Sequence, residues 1–151
     1  MSTVGNGGER GRAWIWAAVS VEIIGLGIDA VWHGLLAPEV EPQIRRELVR
    51  HLATVHLVLY VGVVMLFLAT AWAVRHSASG RALRVAFAGA AIQLVGEVWH
   101  AYSHLQLRPN PFPELAGFVG LAVAIVATVV AGRSVRKAMT GRRLERSPQG
   151  R

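Results

Sequence analysis

The sequence predicts an all-α integral membrane protein, a four-transmembrane-helix bundle with both termini in the cytoplasm. Three observations lead to this fold class. The chain has 151 residues, of which 53% are hydrophobic, and the apolar residues fall into four blocks. Each block approaches the ~20 residues that a membrane-spanning helix needs. Arginines, finally, lie mostly between the blocks and in the tail. A chain of this length suits one domain, and four such blocks leave no room for a soluble one.

The predicted domains follow from these blocks. Residues 1–12 are polar and rich in glycine, a composition that favours a disordered cytoplasmic N-terminus. The transmembrane domain covers residues 13–132, and residues 133–151 form a basic cytoplasmic tail. The first block is longer than the apolar core of a signal peptide and contains two acids, so it is interpreted as a retained helix. The spans are predicted at about 13–36, 51–74, 82–105 and 114–132.

The segments between the blocks contain residues that begin or end helices. Prolines interrupt the chain after the first block, and Glu41-Pro42 is typical of a helix start. Residues 43–50 therefore extend the second span or lie at the membrane surface. Gly80 breaks the short loop after the second span, so the second and third spans are expected to be antiparallel neighbours. A stiff connector precedes the fourth span and contains Pro109, Pro111 and Pro113.

The distribution of basic residues determines the orientation. The side that holds both termini carries twelve of the sixteen lysines and arginines, and the other side carries four. Because cytoplasmic segments are enriched in these residues, both termini are assigned to the cytoplasm. A single lysine among the sixteen is typical of a GC-rich bacterial genome, which indicates the inner (plasma) membrane of a bacterium.

The net charge of +7 also bears on the partners of the protein. Its positive residues flank the spans and fill the tail, so they do not form the folded basic face that nucleic-acid binding needs. The tail is expected to contact a lipid bilayer with anionic headgroups. No nucleic acid is predicted as a partner, whereas a homo-oligomer or a larger membrane complex remains open.

Ionisable residues inside the apolar blocks identify a candidate site. A charged side chain at the centre of a membrane helix costs roughly 2.5–3.5 kcal/mol on insertion scales, so such residues indicate function. Two acids and four histidines lie in the outer half of the first three spans, and those within one span share a helix face. They are Asp29, His33, His56, Glu97, His100 and His104.

These residue types favour a metal ion. Imidazole binds zinc, copper and iron, and carboxylates complete the coordination or orient the imidazoles. The chain has no cysteine, which excludes thiolate and iron–sulfur sites. Glu97-x-x-His100 resembles half of a carboxylate-bridged di-iron motif in helix bundles. Asp29-x-x-x-His33 does not repeat that spacing, so a single ion bound by several histidines is preferred.

The predicted function is a small membrane protein with a His/carboxylate site for a transition metal ion near the extracytoplasmic face. Zinc, copper or iron would fit, for redox chemistry or metal handling. The sequence identifies no catalytic residue. It also leaves two residues without a role. His51 is rotated by about 140° from His56 if the helix is continuous, and Glu22 lies nearer to the middle of the membrane.

Three alternative functions remain open for this sequence. A haem b electron carrier needs two histidines at one depth, which His56 and His100 provide, but buried ionised carboxylates are costly and do not help to hold a porphyrin. A proton or ion path would use the acids, although few polar residues continue it towards the inner side. An accessory subunit of a larger membrane complex would use its helices for packing alone.

A short internal repeat relates the first and third spans. The tripeptide Val-Trp-His at residues 31–33 recurs at residues 98–100. Each copy lies at the outer end of its span, so the two helices run in the same direction. This pattern is compatible with a duplicated two-helix unit whose symmetry axis runs along the membrane normal.

Overall fold

The protein is all-helical in the residues that the structure, a computed structural model, describes. These are residues 4–36, 44–76, 80–108 and 110–146, with side chains described from residue 10 to residue 135 within the same ranges. The helices are α1 (Val4–Val31), which continues into a π-helical turn (Trp32–Leu36), α2 (Arg45–Thr54), α3 (Leu57–His76), α4 (Arg81–Leu105) and α5 (Pro111–Arg146).

Four helical segments are long and apolar enough to cross a membrane, which confirms that part of the predicted fold class. Their outward surfaces are apolar, because Val95 and Val126 are 66% and 62% exposed. Polar side chains lie inside instead, since Glu22 and Gln93 are 0% and 2% exposed. This distribution is expected of a helical bundle in lipid. The segments are Arg10–Leu36, Leu57–His76, Arg81–Leu105 and Pro111–Val135.

Helix boundaries differ from the predicted spans at three places. α1 begins at Val4 and includes part of the segment for which the composition favours disorder. α5 continues to Arg146, so the beginning of the basic tail is helical. The second span is interrupted, because α2 ends at Thr54 and α3 begins at Leu57. The proline-containing loop at residues 37–43 lies outside the described residues.

The bundle consists of two helical hairpins. α1 packs along α3, α4 packs along α5, and α3 and α4 join the two pairs. Glycines allow the backbones of the first hairpin to touch. A Cβ atom on Gly25 would lie 2.4 Å from the backbone nitrogen of Leu59, and one on Gly62 would lie 2.7 Å from the Cα atom of Glu22. No larger side chain fits at either position, and the two contacts set an antiparallel register between α1 and α3.

The second hairpin repeats this packing. A Cβ atom on Gly96 would lie 2.8 Å from the backbone nitrogen of Gly117. One on Gly120 would lie 2.5 Å from the backbone nitrogen of Gln93. Gln93 thus occupies in the second hairpin the place that Glu22 occupies in the first.

A hydrogen bond between these equivalent residues joins the hairpins. The side-chain amide of Gln93 donates to Oε1 of Glu22, and both side chains are buried. A buried polar group that loses its partner costs ~1–3 kcal/mol, so each residue needs the other. Glu22, to which the sequence assigns no role, therefore makes a polar contact between the two halves of the bundle.

The close approach at Gly25 predicts different effects for two neighbouring glycines of α1. Gly25→Ala places a methyl group against the backbone of Leu59, so we expect a loss of ~1–3 kcal/mol in the free energy of unfolding. Gly27→Ala is the matched control, because a Cβ atom there meets nothing within 4 Å. Thermal unfolding of the two purified variants in detergent checks the difference, and equal midpoints would contradict the described contact.

Candidate metal centre

The contact between α1 and α3 determines which residues meet further along the first hairpin. Asp29 and His33 follow the contact at intervals of one helical turn along α1. Because α3 runs antiparallel to α1, the segment before α3 lies beside these residues, with His56 first and His51 further on. Asp29 accordingly reaches His56, and the ring centroids of His33 and His51 lie 5.2 Å apart.

Three imidazoles converge at this place. One ring nitrogen from each of His33, His51 and His56 lies within 4.8 Å of the others. His56 is buried, and the other two rings are partly exposed. Imidazole nitrogens bind zinc at ~2.0–2.1 Å, so small side-chain rotations would let the three nitrogens share one ion.

His51 joins the cluster because the second span is broken. A continuous helix would point His51 away from His56, and this expectation is wrong for the chain. Val55 and His56 lie outside both helices, and the two rings come within 5.1 Å of each other. The hydroxyl of Thr54 donates to the carbonyls of Arg50 and His51 at 2.9 and 3.2 Å, an interaction that bends helices. Adjacent β-branched residues such as Thr54 and Val55 do not mark the break by themselves, because Thr128 and Val129 lie within the unbroken α5.

Asp29 lies beside the three imidazoles. Its Oδ1 atom is 3.1 Å from Nδ1 of His56 and 3.6 Å from Nε2 of His33. A carboxylate that faces the ring N–H of a metal-binding histidine fixes the orientation and the tautomer of that ring. The position of Asp29 suits this orienting function.

The three predicted site residues on α4 divide into two groups. The rings of His100 and His104 lie 4.5 Å apart, and the ring of His100 is 6.5 Å from that of His56. Five imidazoles thus form one continuous group. The side chain of Glu97 lies against α5 instead, because a Cβ atom on Gly117 would be 2.6 Å from its Oε1 atom.

No protein-family model, curated protein or solved structure matches this chain significantly. The fold and the site nevertheless define a class of protein. It is a small helical protein with four helices that could cross a membrane and three histidines that could hold a metal ion. The geometry of the site therefore carries the functional argument.

The proximity of His33 and His51 predicts a specific cross-link. Because the chain has no cysteine, the double variant His33→Cys/His51→Cys contains only the two introduced thiols. We expect mild oxidation or a short thiol cross-linker to join them, since the native rings lie 5.2 Å apart. Trypsin cleaves the intervening chain at Arg46, so mass spectrometry detects the joined peptides.

The matched control for this cross-link is His33→Cys/His76→Cys. His76 lies at the far end of α3, so this pair is expected to stay unlinked under the same conditions. Equal cross-linking of both pairs, or none in the first pair, would contradict the described break in the second span.

Proposed function

We propose that this protein is a multi-pass protein of the bacterial inner (plasma) membrane that binds a transition metal ion through His33, His51 and His56. The convergence of one ring nitrogen from each histidine within 4.8 Å carries the proposal. Neutral imidazoles are metal ligands, and a bound ion gives these three nitrogens a common partner. The arrangement of the bundle, with apolar side chains outside and polar ones inside, supports the membrane location.

The proposed orientation follows from the basic residues. Twelve of the sixteen lysines and arginines belong to the side of the termini, which supports a cytoplasmic location for that side. The histidine cluster belongs to the opposite side, near the extracytoplasmic face. An ion arriving from outside would meet the partly exposed rings of His33 and His51 first. The basic tail would contact anionic lipid headgroups.

The donor set indicates how the ion would be held. Asp29 would receive the Nδ1–H of His56 and leave Nε2 of that ring to the ion. His33 and His51 would supply the other two nitrogens. Three protein ligands leave a fourth position open for water or a substrate. Copper and zinc stand above iron(II) in affinity for such sites, and the bound ion decides the chemistry, because copper supports redox reactions and zinc does not.

A small ion accounts for the cluster better than haem b. A haem with two axial histidines would use His56, just before α3, and His100 on α4, whose rings are 6.5 Å apart. That pairing leaves the two other imidazoles beside His56 without a function. A proton path would use Glu22, whose Oε1 atom instead accepts a hydrogen bond from Gln93 between the two hairpins. Ion binding is therefore the function that uses the site most fully.

The proposal predicts the metal content of two histidine variants. Purified wild-type protein reconstituted with zinc, copper or iron is expected to hold a stoichiometric ion and to show no Soret band when haem is supplied. His51→Ala should lose most of this metal, because one of three ligands is removed. His76→Ala is the control, since its ring stacks on Trp72 at the other end of α3. Elemental analysis that finds no bound metal in wild type, or full occupancy in His51→Ala, would refute the proposal.

Asp29→Asn tests the orienting function of the carboxylate. The substitution keeps the size of the side chain and removes its charge, so we expect metal affinity to fall ~10–100-fold, the usual effect of a partner that orients a ligand. Saturating metal should restore the wild-type stoichiometry, unlike in His51→Ala. Competition with a chromophoric chelator measures the affinity, and an unchanged dissociation constant would contradict this role.

A further inference from the structure

The equivalence of the two hairpins extends beyond their glycine contacts. Gly62 receives the backbone of Glu22, and Gly120 receives that of Gln93 at the same place in the second hairpin. Just over two turns later, α3 and α5 each carry a buried threonine whose hydroxyl donates to the carbonyl four residues earlier. These are Thr70 and Thr128.

The same register relates the candidate ligands of α1 and α4. Two positions on α1 lie seven and eleven residues after Glu22, and two positions on α4 lie seven and eleven residues after Gln93. Because the two starting residues are equivalent in packing, these positions correspond by residue count, and His33 lies in the π-helical turn that ends α1. They are Asp29 and His33 in α1, and His100 and His104 in α4.

The opposing chains complete the comparison. His56 lies six residues before Gly62, and Glu114 lies six residues before Gly120. Glu114 therefore has in the second hairpin the place of His56 in the first. Each hairpin presents two imidazoles and one carboxylate, in a different order. The first set is Asp29, His33 and His56, and the second set is His100, His104 and Glu114.

Two imidazoles of the second set lie close together. Among the described residues only His33, His51 and His56 bring three donor atoms within 4.8 Å of one another, so the side chain of Glu114 would have to rotate towards His100 and His104 to share an ion with them. The rings of His100 and His104, one turn apart on α4, lie 4.5 Å from each other, and two histidines at this spacing can bind one ion from one helix face. Glu114 directly follows Pro113, whose carbonyl oxygen would lie 2.8 Å from a Cβ atom on Gly96, one turn before His100 on α4. The Nδ1 atom of His100 is buried and has no hydrogen-bond partner among the described residues.

We propose that His100, His104 and Glu114 form a second site for a divalent transition-metal ion, so that each hairpin holds one ion. This inference deepens the proposed function and rests on it for the first ion. Two imidazoles and a carboxylate are a ligand set of zinc and iron(II) centres that keep open coordination positions. The two sites are adjacent, because the ring of His100 lies 6.5 Å from that of His56.

The two ions are expected to differ in affinity. The first site includes a third imidazole, from His51, eleven residues before Gly62. Eleven residues before Gly120 the sequence has a proline, Pro109, whose side chain offers no ligand atom. The second site therefore has fewer nitrogen ligands and should bind more weakly.

Metal stoichiometry of the full-length protein in detergent tests the inference. Metal-free protein is titrated with zinc, and separately with cobalt(II) as a spectroscopic substitute. We expect wild type to bind two ions, one tightly and one weakly. His100→Ala/His104→Ala should keep only the tight ion, and His33→Ala/His51→Ala should keep only the weak one. His76→Ala, at the other end of the bundle, should bind both.

The metal stoichiometry distinguishes a failure of the second site from a failure of the proposed function. A single ion that is lost only in His33→Ala/His51→Ala overturns the second site and leaves the proposed function intact. A single ion that is lost only in His100→Ala/His104→Ala overturns the three-histidine centre and supports the second set. Two ions that His100→Ala/His104→Ala still binds overturn the assignment of ligands.

Glu114→Gln keeps the test decisive if a double variant does not fold. Glu114 is exposed in the first turn of α5, so the substitution should leave the fold intact. We expect the weak binding step alone to lose about 10-fold or more in affinity. An unchanged weak step in this variant would overturn the second site.

Discussion

Backbone contact between α1 and α3 is the constraint on which the histidine cluster depends. Where Gly25 lies against Leu59, no side chain separates the helices, so each turn of one helix is matched to one turn of the other. A slip by one turn, about 5.4 Å, would separate His33 from His51. A site whose side chains come from the end of the first span, from α2 and from the break before α3 is thus positioned by glycines, whose own side chains bind nothing.

Polar contacts inside the bundle have a different function from the glycines. In lipid, apolar side chains gain little from burial between helices, so close packing and hydrogen bonds determine how helices associate. The bond between Gln93 and Glu22 is the described side-chain hydrogen bond that crosses from one hairpin to the other. Such a bond in a membrane averages only ~0.6 kcal/mol, so it selects how the hairpins face each other more than it stabilises them.

Sequence patterns predicted the helices well because hydropathy sums over some 20 residues and tolerates local exceptions. Helical spacing also predicted that the acids and imidazoles within one span share a helix face. His51 was missed because hydrophobic periodicity does not record a break of two residues, Val55 and His56, between two helices. The Val-Trp-His repeat indicated a duplicated unit but aligned His33 with His100. Counted from Glu22 and Gln93, which the glycines place equivalently, His33 corresponds to His104, one turn later.

The contact between Glu22 and Gln93 distinguishes a bundle of two linked hairpins from a dimer of identical ones. Two identical hairpins assembled as a dimer would bring the same residue to this contact from both sides, acid against acid or amide against amide. Within one chain the two sides can diverge, so an acceptor can meet a donor. The same freedom allows one hairpin to keep a third imidazole where the other has a proline. Covalent linkage of equivalent halves thus permits two neighbouring ligand sets that differ in strength.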